Sequence, residues 1–174
     1  MIVPVNGIYP KLHQTVWVAP TATIIGDVEI GEKSSIWFGT VIRGDVFPIK
    51  IGREVNIQDN CTLHGTYDRC GVVLEDRVTV GHKVTLHGCH VKQGALIGMG
   101  AIVMDLAVIG KHCLVAAGSV VTEKSQFEDG VMIMGAPAKI KRKLTADELK
   151  NLEVSADNYL KYTGWYTGKG GRIP

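Results

Sequence analysis

The feature that most constrains the fold is a repeat of six residues, which begins at Val18 and returns along most of the chain. Successive hexads such as IIGDVE, IGEKSS, IGREVN, VGHKVT and VAAGSV each begin with an aliphatic residue. A fixed short period is the signature of a parallel β-helix, in which short strands stack coil upon coil. The sequence therefore predicts a mainly β fold with the first residue of each hexad inside a prism. Small or β-branched fifth residues are expected near its corners: Ala22, Ser34, Thr40, Val55, Cys61, Ala95, Ala101, Cys113 and Ser119.

The hexad pattern is expected to stop at Gln126, and a helix is expected further on. Thr145 opens the tetrapeptide TADE, in which Glu148 stands three residues later and completes a capping box. We predict an amphipathic helix that ends near Tyr162 and covers either its own prism or a neighbouring one. Its apolar stripe has helical spacing and consists of Leu149, Leu152, Ala156 and Leu160.

These patterns divide the chain into two segments. Residues 1–126 are predicted to form the β-helix domain, with a lead-in at 1–17. Residues 127–174 are predicted to contain a connector, the C-terminal α-helix and a glycine-rich tail that is loose at its end.

Composition narrows the classes of function. A chain of 174 residues suits one domain, and its net charge of +2 with no concentrated basic stripe argues against a nucleic-acid partner. No apolar run approaches the ~20 residues that span a bilayer, and the N-terminus lacks the pattern of a secretory signal. The four cysteines form no C-x-x-C pair. We expect a cytoplasmic protein with reduced thiols and no membrane partner.

The segment VTVGHKVTLHGCH contains three of the chain's six histidines. Leu63 and Leu74 are eleven residues apart, which we interpret as one hexad carrying a five-residue loop within GTYDRCGVV. With three hexads to a coil, Leu86 then lies one full coil after Leu63. His64 and His87 follow these leucines in the outward second place, so they should lie side by side at the ~4.8 Å spacing of neighbouring strands.

That spacing suits a metal, because two nitrogens on a tetrahedral zinc are roughly 3.4 Å apart. His82 occupies the third place of its hexad and points elsewhere, so it could join the pair only across an interface between copies around a threefold axis. A single outward histidine usually just faces water, but His64 and His87 in register favour a metal site. No role is assigned to the remaining histidines, which are His13, His90 and His112.

Three longer motifs carry a family resemblance: IRGDVFPIKIGREVNIQDNCTLH, VTVGHKVTLHGC and the closing GAPAKIKRKL. In these motifs the chain resembles the gamma-class carbonic anhydrases and their wider hexapeptide-repeat relatives. The resemblance implies a left-handed β-helix homotrimer with Zn2+ between subunits, or alternatively Fe2+ or Co2+. His64 and His87 would come from one subunit and His82 from the next. The implied activity is reversible hydration of carbon dioxide to bicarbonate by metal-bound hydroxide.

The same resemblance implies roles for further polar residues. Gln58 would hydrogen-bond the metal-bound water or bicarbonate, and Asn56 would line the pocket. Arg43 would form ion pairs with Asp45 and Asp59 that join the subunits beside the site. No organic cofactor is implied.

Tyr159 on the predicted helix matches a family tyrosine near the metal, but two other places depart from the family pattern. The well-known carbonic anhydrases of this class carry a glutamate directly after Arg-Gly-Asp, where this chain has Val46. They also carry acidic residues in the loop after the first histidine, where this chain has GTYDRCG with only Asp68. Because each turnover must export a proton, the two departures predict slow hydration.

Three alternatives therefore stay open. The first is a related hydrolase, such as an acyl-CoA thioesterase, that uses the same metal. The second is a hexapeptide acyltransferase in which a histidine acts as a base and coenzyme A lies between coils, without any metal. The third is a trimeric metal-binding protein without turnover.

Overall fold

The computed structural model describes residues 1–168, in which nineteen strands precede one C-terminal helix. The tail predicted beyond Gly168 lies outside the described residues. The strands are β1 (Ile2–Val3), β2 (Lys11–Leu12), β3 (Trp17–Val18), β4 (Thr23–Ile30), β5 (Ser35–Ile36), β6 (Val41–Ile51), β7 (Asn56–Ile57), β8 (Thr62–His64), β9 (Val73–Leu74), β10 (Thr79–Val80), β11 (Thr85–His87), β12 (His90–Val91), β13 (Leu96–Ile97), β14 (Ile102–Val103), β15 (Val108–Ile109), β16 (Leu114–Val115), β17 (Val120–Val121), β18 (Val131–Gly135) and β19 (Ala138–Lys143).

The strands form the three faces of a parallel β-helix. One face contains β8, β11, β14 and β17, a second contains β9, β12 and β15, and a third runs from β3 through β5, β7, β10, β13 and β16 to β18. The long strands β4 and β6 pass round a corner and join the first two faces. Residues 41–43 of β6 pair with β8, whereas residues 50–51 pair with β9. The predicted parallel β-helix is therefore confirmed.

The interior of the prism contains the aliphatic first residues of the hexads, as predicted. From Ile24 to Val121, every first residue of a predicted hexad is at most 4% exposed. The small fifth residues from Ala22 to Ser119 are also buried, at 2% or less. This burial explains why the first residue of each hexad is aliphatic and the fifth is small or β-branched, because both stack inside the prism on the equivalent residues of neighbouring coils.

The corners show a feature that the sequence pattern did not predict. In twelve hexads the fourth residue has a positive φ between 51° and 70°, whether it is glycine, as at Gly94, or a bulky residue, as at Leu106. A left-handed conformation costs a non-glycine residue roughly 1–2 kcal/mol. The turn geometry therefore comes from the burial of the flanking first and fifth residues, which outweighs the local preference of the fourth.

The hexad pattern continues beyond the predicted boundary at Gln126. Phe127 takes the next first place and packs against the core, and Ile133 follows six residues later with 0% exposure. Strand β18 pairs in parallel with β16, and β19 then turns back antiparallel along β18. The expected connector thus contains two strands of the third face. The pattern was missed because an aromatic residue stands where every earlier hexad has an aliphatic one.

The lead-in predicted at 1–17 also contributes to the sheets. Strands β1 and β2 both pair in parallel with β4, so the N-terminal residues lie along the first complete coil. These two short strands cover part of an edge of the sheet that would otherwise be open.

The C-terminal helix, α1, extends from Ala146 to Thr167, and its predicted capping box is present at Thr145 and Glu148. It packs on its own prism, against β5 and β10 of the third face. Leu152 and Ala156 of the predicted stripe are buried, but Leu149 is 36% exposed. No helix among residues 1–168 is long and apolar enough to cross a membrane.

The helix ends five residues later than the predicted Tyr162. Tyr166 packs on an aromatic cluster of Trp17, Trp37 and Phe38, with ring centroids between 5.0 and 5.8 Å apart. Gly168 then supplies a left-handed C-cap, whose N–H donates to the carbonyl of Gly164. This aromatic packing holds the last turn of α1 in place.

Truncating an inward leucine should destabilise the protein far more than truncating an outward one. We expect Leu86→Ala, at a site with 0% exposure, to lower the free energy of unfolding by about 3 kcal/mol, because it leaves a cavity inside the coil. The matched control, Leu149→Ala on the exposed part of α1, should cost less than about 0.5 kcal/mol. Urea denaturation at one fixed protein concentration measures both changes. Equal effects would contradict the assignment of inward places.

Candidate metal centre

The first face of the prism carries a column of outward polar side chains. Arg43 of β6, His64 of β8 and His87 of β11 occupy the same register position on successive coils. The leucines Leu63 and Leu86 pair in the same register and point inward. The predicted loop at residues 65–71 lies between them and leaves the register intact, so the predicted alignment of His64 with His87 is confirmed.

The two imidazoles face each other. His64 Nδ1 and His87 Nε2 are 3.2 Å apart, and the ring centroids are 5.2 Å apart with the planes tilted by 61°. The side chain of His64 is 18% exposed and that of His87 is 38% exposed. The distance between the facing nitrogens is near the ~3.4 Å separation of two ligands on a tetrahedral metal.

The outer nitrogen of His64 is engaged by Asp45. His64 Nε2–H donates to Asp45 Oδ1 at 3.0 Å, and Arg43 Nη1 donates to the other oxygen of Asp45 at 2.6 Å. Burial opposes the ionisation of this carboxyl, but hydrogen bonds from Arg43 and His64 outweigh it and hold the pKa of Asp45 below its usual value. An ionised Asp45 can only accept, so His64 Nε2 carries the proton of this hydrogen bond and Nδ1 faces His87.

The outer nitrogen of His87 is engaged by Asp105, a residue that the sequence analysis did not identify. His87 Nδ1–H donates to Asp105 Oδ1 at 2.5 Å. Thr66 Oγ1 donates to the other carboxylate oxygen at 2.6 Å. The available signal was an acidic third place in VMDLAV, the hexad one coil after LHGCH. His87 Nδ1 thus carries the proton donated to Asp105, and Nε2 faces His64.

Two neutral imidazoles held in these tautomers would point their lone pairs at each other across 3.2 Å. This repulsion is removed either by a metal ion that binds both nitrogens or by a proton on one ring that is donated to the other. Fixed carboxylate partners on the far nitrogens are also the usual surroundings of metal-ligating histidines. The pair therefore offers two nitrogen donors with the spacing and outer hydrogen bonds that are usual for metal-ligating histidines.

His82 lies apart from this pair, at a corner beside the third face. Its Nδ1 is 2.8 Å from Asp59 Oδ2, and its side chain is 41% exposed. No three histidine, cysteine or carboxylate side chains within residues 1–168 converge to hold a metal on their own. A single chain thus brings two of the three predicted ligands together and leaves His82 at another edge.

Each of the other predicted site residues lies either near the His64–His87 pair or near the corner that carries His82. Among the described residues, Arg43 pairs with Asp45 and not with Asp59. Asn56 and Gln58 are buried on the third face, where Gln58 Nε2 donates to Asn56 Oδ1 at 3.2 Å. The amide of Asn56 in turn donates to Thr79 Oγ1 at 2.9 Å, so the carbonyl of Asn56 is held toward Gln58.

Tyr159 lies on the side of α1 that faces this third face. Its ring packs edge-on against Trp37, with centroids 5.2 Å apart. Burial and the nearby charge of Asp59 raise the pKa of Tyr159 to about 12. The phenol is therefore neutral near pH 7 and can act as a hydrogen-bond donor beside Asp59.

Exposed apolar side chains lie next to the His64–His87 pair and next to His82. Ile102 and Met104 occupy the coil after His87 and are 41% and 42% exposed. Met99 occupies the coil after His82 and is 58% exposed. Apolar residues of this size beside polar groups are typical of surfaces that another protein covers.

The chain is similar to known proteins along most of its length. A family model described as bacterial transferase hexapeptide (six repeats) matches residues 9–44. A protein named carbonic anhydrase from Geobacillus kaustophilus is 44% identical over 166 residues, which cover 95% of this chain and 91% of that protein. Gamma carbonic anhydrase 2, a mitochondrial protein of Arabidopsis thaliana, is 46% identical over 156 residues. That match covers 87% of this chain but only 56% of the plant protein.

A solved structure from Bacillus cereus is similar along nearly the whole length. It is 46% identical with a TM-score of 0.93, and the match covers 96% of both chains. That protein is provisionally described as an acetyltransferase. The comparisons therefore include both a hydration enzyme and a candidate group-transfer enzyme among close relatives.

Proposed function

This chain belongs to the gamma-class carbonic anhydrase-like family of hexapeptide-repeat proteins, and we propose that it is a metal-dependent enzyme that hydrates carbon dioxide reversibly. The observation that carries the proposal is the pair of facing nitrogens on His64 and His87. Each ring has its other nitrogen on a carboxylate, and the 3.2 Å gap between the two lone pairs suits a divalent cation. Zn2+ is the proposed ion, with Fe2+ or Co2+ as alternatives for the same nitrogen donors.

The proposed assembly is a homotrimer in which His82 of a neighbouring subunit completes the ligand set. His82 is exposed at a different edge from His64 and His87, so it reaches them only from a second copy. The apolar residues Ile102 and Met104 beside the pair, and Met99 beside His82, support a contact between these two edges. A threefold arrangement closes such head-to-tail contacts and gives three equivalent sites.

When bound, a divalent metal on three neutral imidazoles supplies the Lewis acidity that makes hydroxide available to carbon dioxide near pH 7. Gln58 would orient the attacking oxygen or bicarbonate, because Asn56 holds its amide nitrogen and leaves its carbonyl oxygen for another donor. Arg43 and Asp59 would form an ion pair across the interface, because both side chains are partly exposed. Tyr159 would donate a hydrogen bond beside Asp59 and exclude water from that side.

A second candidate is acyl transfer without a metal. It is favoured by the near-identical fold of the Bacillus cereus protein, whose description names that activity. In that case an imidazole would act as a general base, and the metal content of the purified protein would be negligible. Elemental analysis of protein purified without added metal separates the two candidates, since the proposed function requires about one ion per chain.

Carbon dioxide hydration is expected to be slow in buffers of low proton-carrying capacity and to rise markedly with imidazole concentration. The reason is that Val46 has no ionisable group, and Asp68 is exposed on the loop. A stopped-flow assay with a pH indicator measures the rate across buffer concentrations. A rate that is fast and independent of buffer would contradict the prediction and would direct attention to Tyr159.

The matched control for this assay is His13→Ala. His13 is exposed and its contacts are with Thr15, so its removal should leave both the rate and its buffer dependence unchanged. His82→Ala should remove hydration at every buffer concentration. A variant at position 82 that keeps the full rate would count against the three-histidine site.

A further inference from the structure

Asp105 is the most enclosed of the three carboxylates that contact the candidate metal ligands. The side chain of Asp105 is 13% exposed, compared with 24% for Asp45 and 31% for Asp59. Its contact with His87 is also the shortest of the three, at 2.5 Å between Nδ1 and Oδ1. We infer that Asp105 is a positioning residue that fixes the ring and tautomer of His87 and so determines how tightly the site holds its metal. This inference rests on the proposed function.

Several groups hold the carboxylate of Asp105 in place. Thr66 Oγ1 donates to Oδ2 at 2.6 Å, and Arg69 Nη1 lies 3.5 Å from the same oxygen. Arg69 is itself paired with Glu123, so its guanidinium is held on both sides. The loop at residues 65–71, which lengthens this coil, thus supplies two of the contacts that position Asp105.

Gly88, the residue after His87, makes the short approach possible. A Cβ at this position would lie 2.7 Å from Asp105 Oδ1 and 2.5 Å from the sulfur of Cys70. Its φ of +54° also favours glycine. The backbone next to His87 is therefore shaped so that the carboxylate of the following coil can reach the imidazole.

The chemical consequence is a defined tautomer with a more basic ligand nitrogen. The carboxylate of Asp105 accepts from Thr66 Oγ1 through one oxygen and from His87 Nδ1 through the other. These contacts keep an imidazole proton on Nδ1 and direct Nε2 toward His64. Removing a carboxylate that holds a metal-ligating histidine typically weakens metal binding by roughly 10–100-fold.

The test measures Co2+ binding by the intact oligomeric protein in competition with a chelator, together with the visible d–d spectrum of bound Co2+. Asp105→Ala is expected to weaken binding by about 10–100-fold and to change the spectrum. Asp105→Asn keeps an acceptor oxygen without the charge, and a smaller loss of about 5-fold is expected. Asp76→Ala is the matched control, because Asp76, like Asp105, contacts an arginine side chain, but its partner is Arg53 and it has no part in the proposed site.

The outcomes separate the inference from the proposed function. If wild-type protein binds no Co2+, the proposed function fails and the role of Asp105 fails with it. If wild type binds and Asp105→Ala binds equally tightly with an unchanged spectrum, only the inference is overturned. If Asp105→Ala does not fold, Asp105→Asn decides, and an affinity within about 2-fold of wild type overturns the inference. A loss of similar size in Asp76→Ala would show a merely structural effect and would also overturn it.

Discussion

His87→Ala or His64→Ala should each abolish tight metal binding while the β-helix stays folded. Structural zinc sites bind with about 10–16 kcal/mol shared among their ligands, so losing one of three should weaken binding by roughly 100–1000-fold or more. Folding should be retained because both imidazoles point outward, whereas the neighbouring Leu63 and Leu86 remain in the core. Elemental analysis measures the bound metal, and far-ultraviolet circular dichroism measures the fold.

His13→Ala is the matched control for this experiment. It makes the same substitution at an exposed histidine whose ring contacts Thr15, so metal occupancy should equal that of wild type. Full occupancy in either His64→Ala or His87→Ala would refute the metal site. Unfolding of both variants would instead show that the imidazoles are needed for packing, which their outward position argues against.

The shared site should be recoverable from two inactive variants. If His64 and His87 come from one subunit and His82 from the next, chains carrying His64→Ala and chains carrying His82→Ala should complement each other in mixed trimers. An intact site needs a His82→Ala chain followed by a His64→Ala chain. Random mixing of equal amounts therefore restores about one quarter of all sites. Metal titration of the co-refolded mixture measures the recovery.

The control mixture combines His64→Ala with His87→Ala. Both substitutions damage the same side of the interface, so no arrangement of these chains contains an intact pair and no site should recover. Absence of recovery in the first mixture, despite demonstrated subunit exchange, would mean that His82 does not act across an interface. Recovery in the control mixture would contradict the assignment of His64 and His87 to one subunit.

Much of the fold follows from the six-residue period, because it states which residues point inward. Leu63 and Leu86 could be placed one coil apart only after the loop GTYDRCG had been recognised as an insertion, and the strand pairing agrees with that placement. The same reasoning failed at Phe127, where an aromatic residue occupies an inward place and carries the coil on to Ile133. The apolar spacing also predicted too early an end for the helix, near Tyr162, because the packing of Tyr166 on aromatic rings carries α1 to Thr167.

The sequence by itself determined the register of His64 and His87, since a strict period converts residue number into position on a face. It did not determine the partners of their outer nitrogens. Asp105 reaches His87 from the following coil, past Gly88, and is held by Thr66 and Arg69 of the inserted loop. Those contacts depend on how a corner and a loop pack together in space, and no period in the sequence encodes that packing. The tertiary structure therefore decided the tautomers, and with them the facing lone pairs that a metal can bridge.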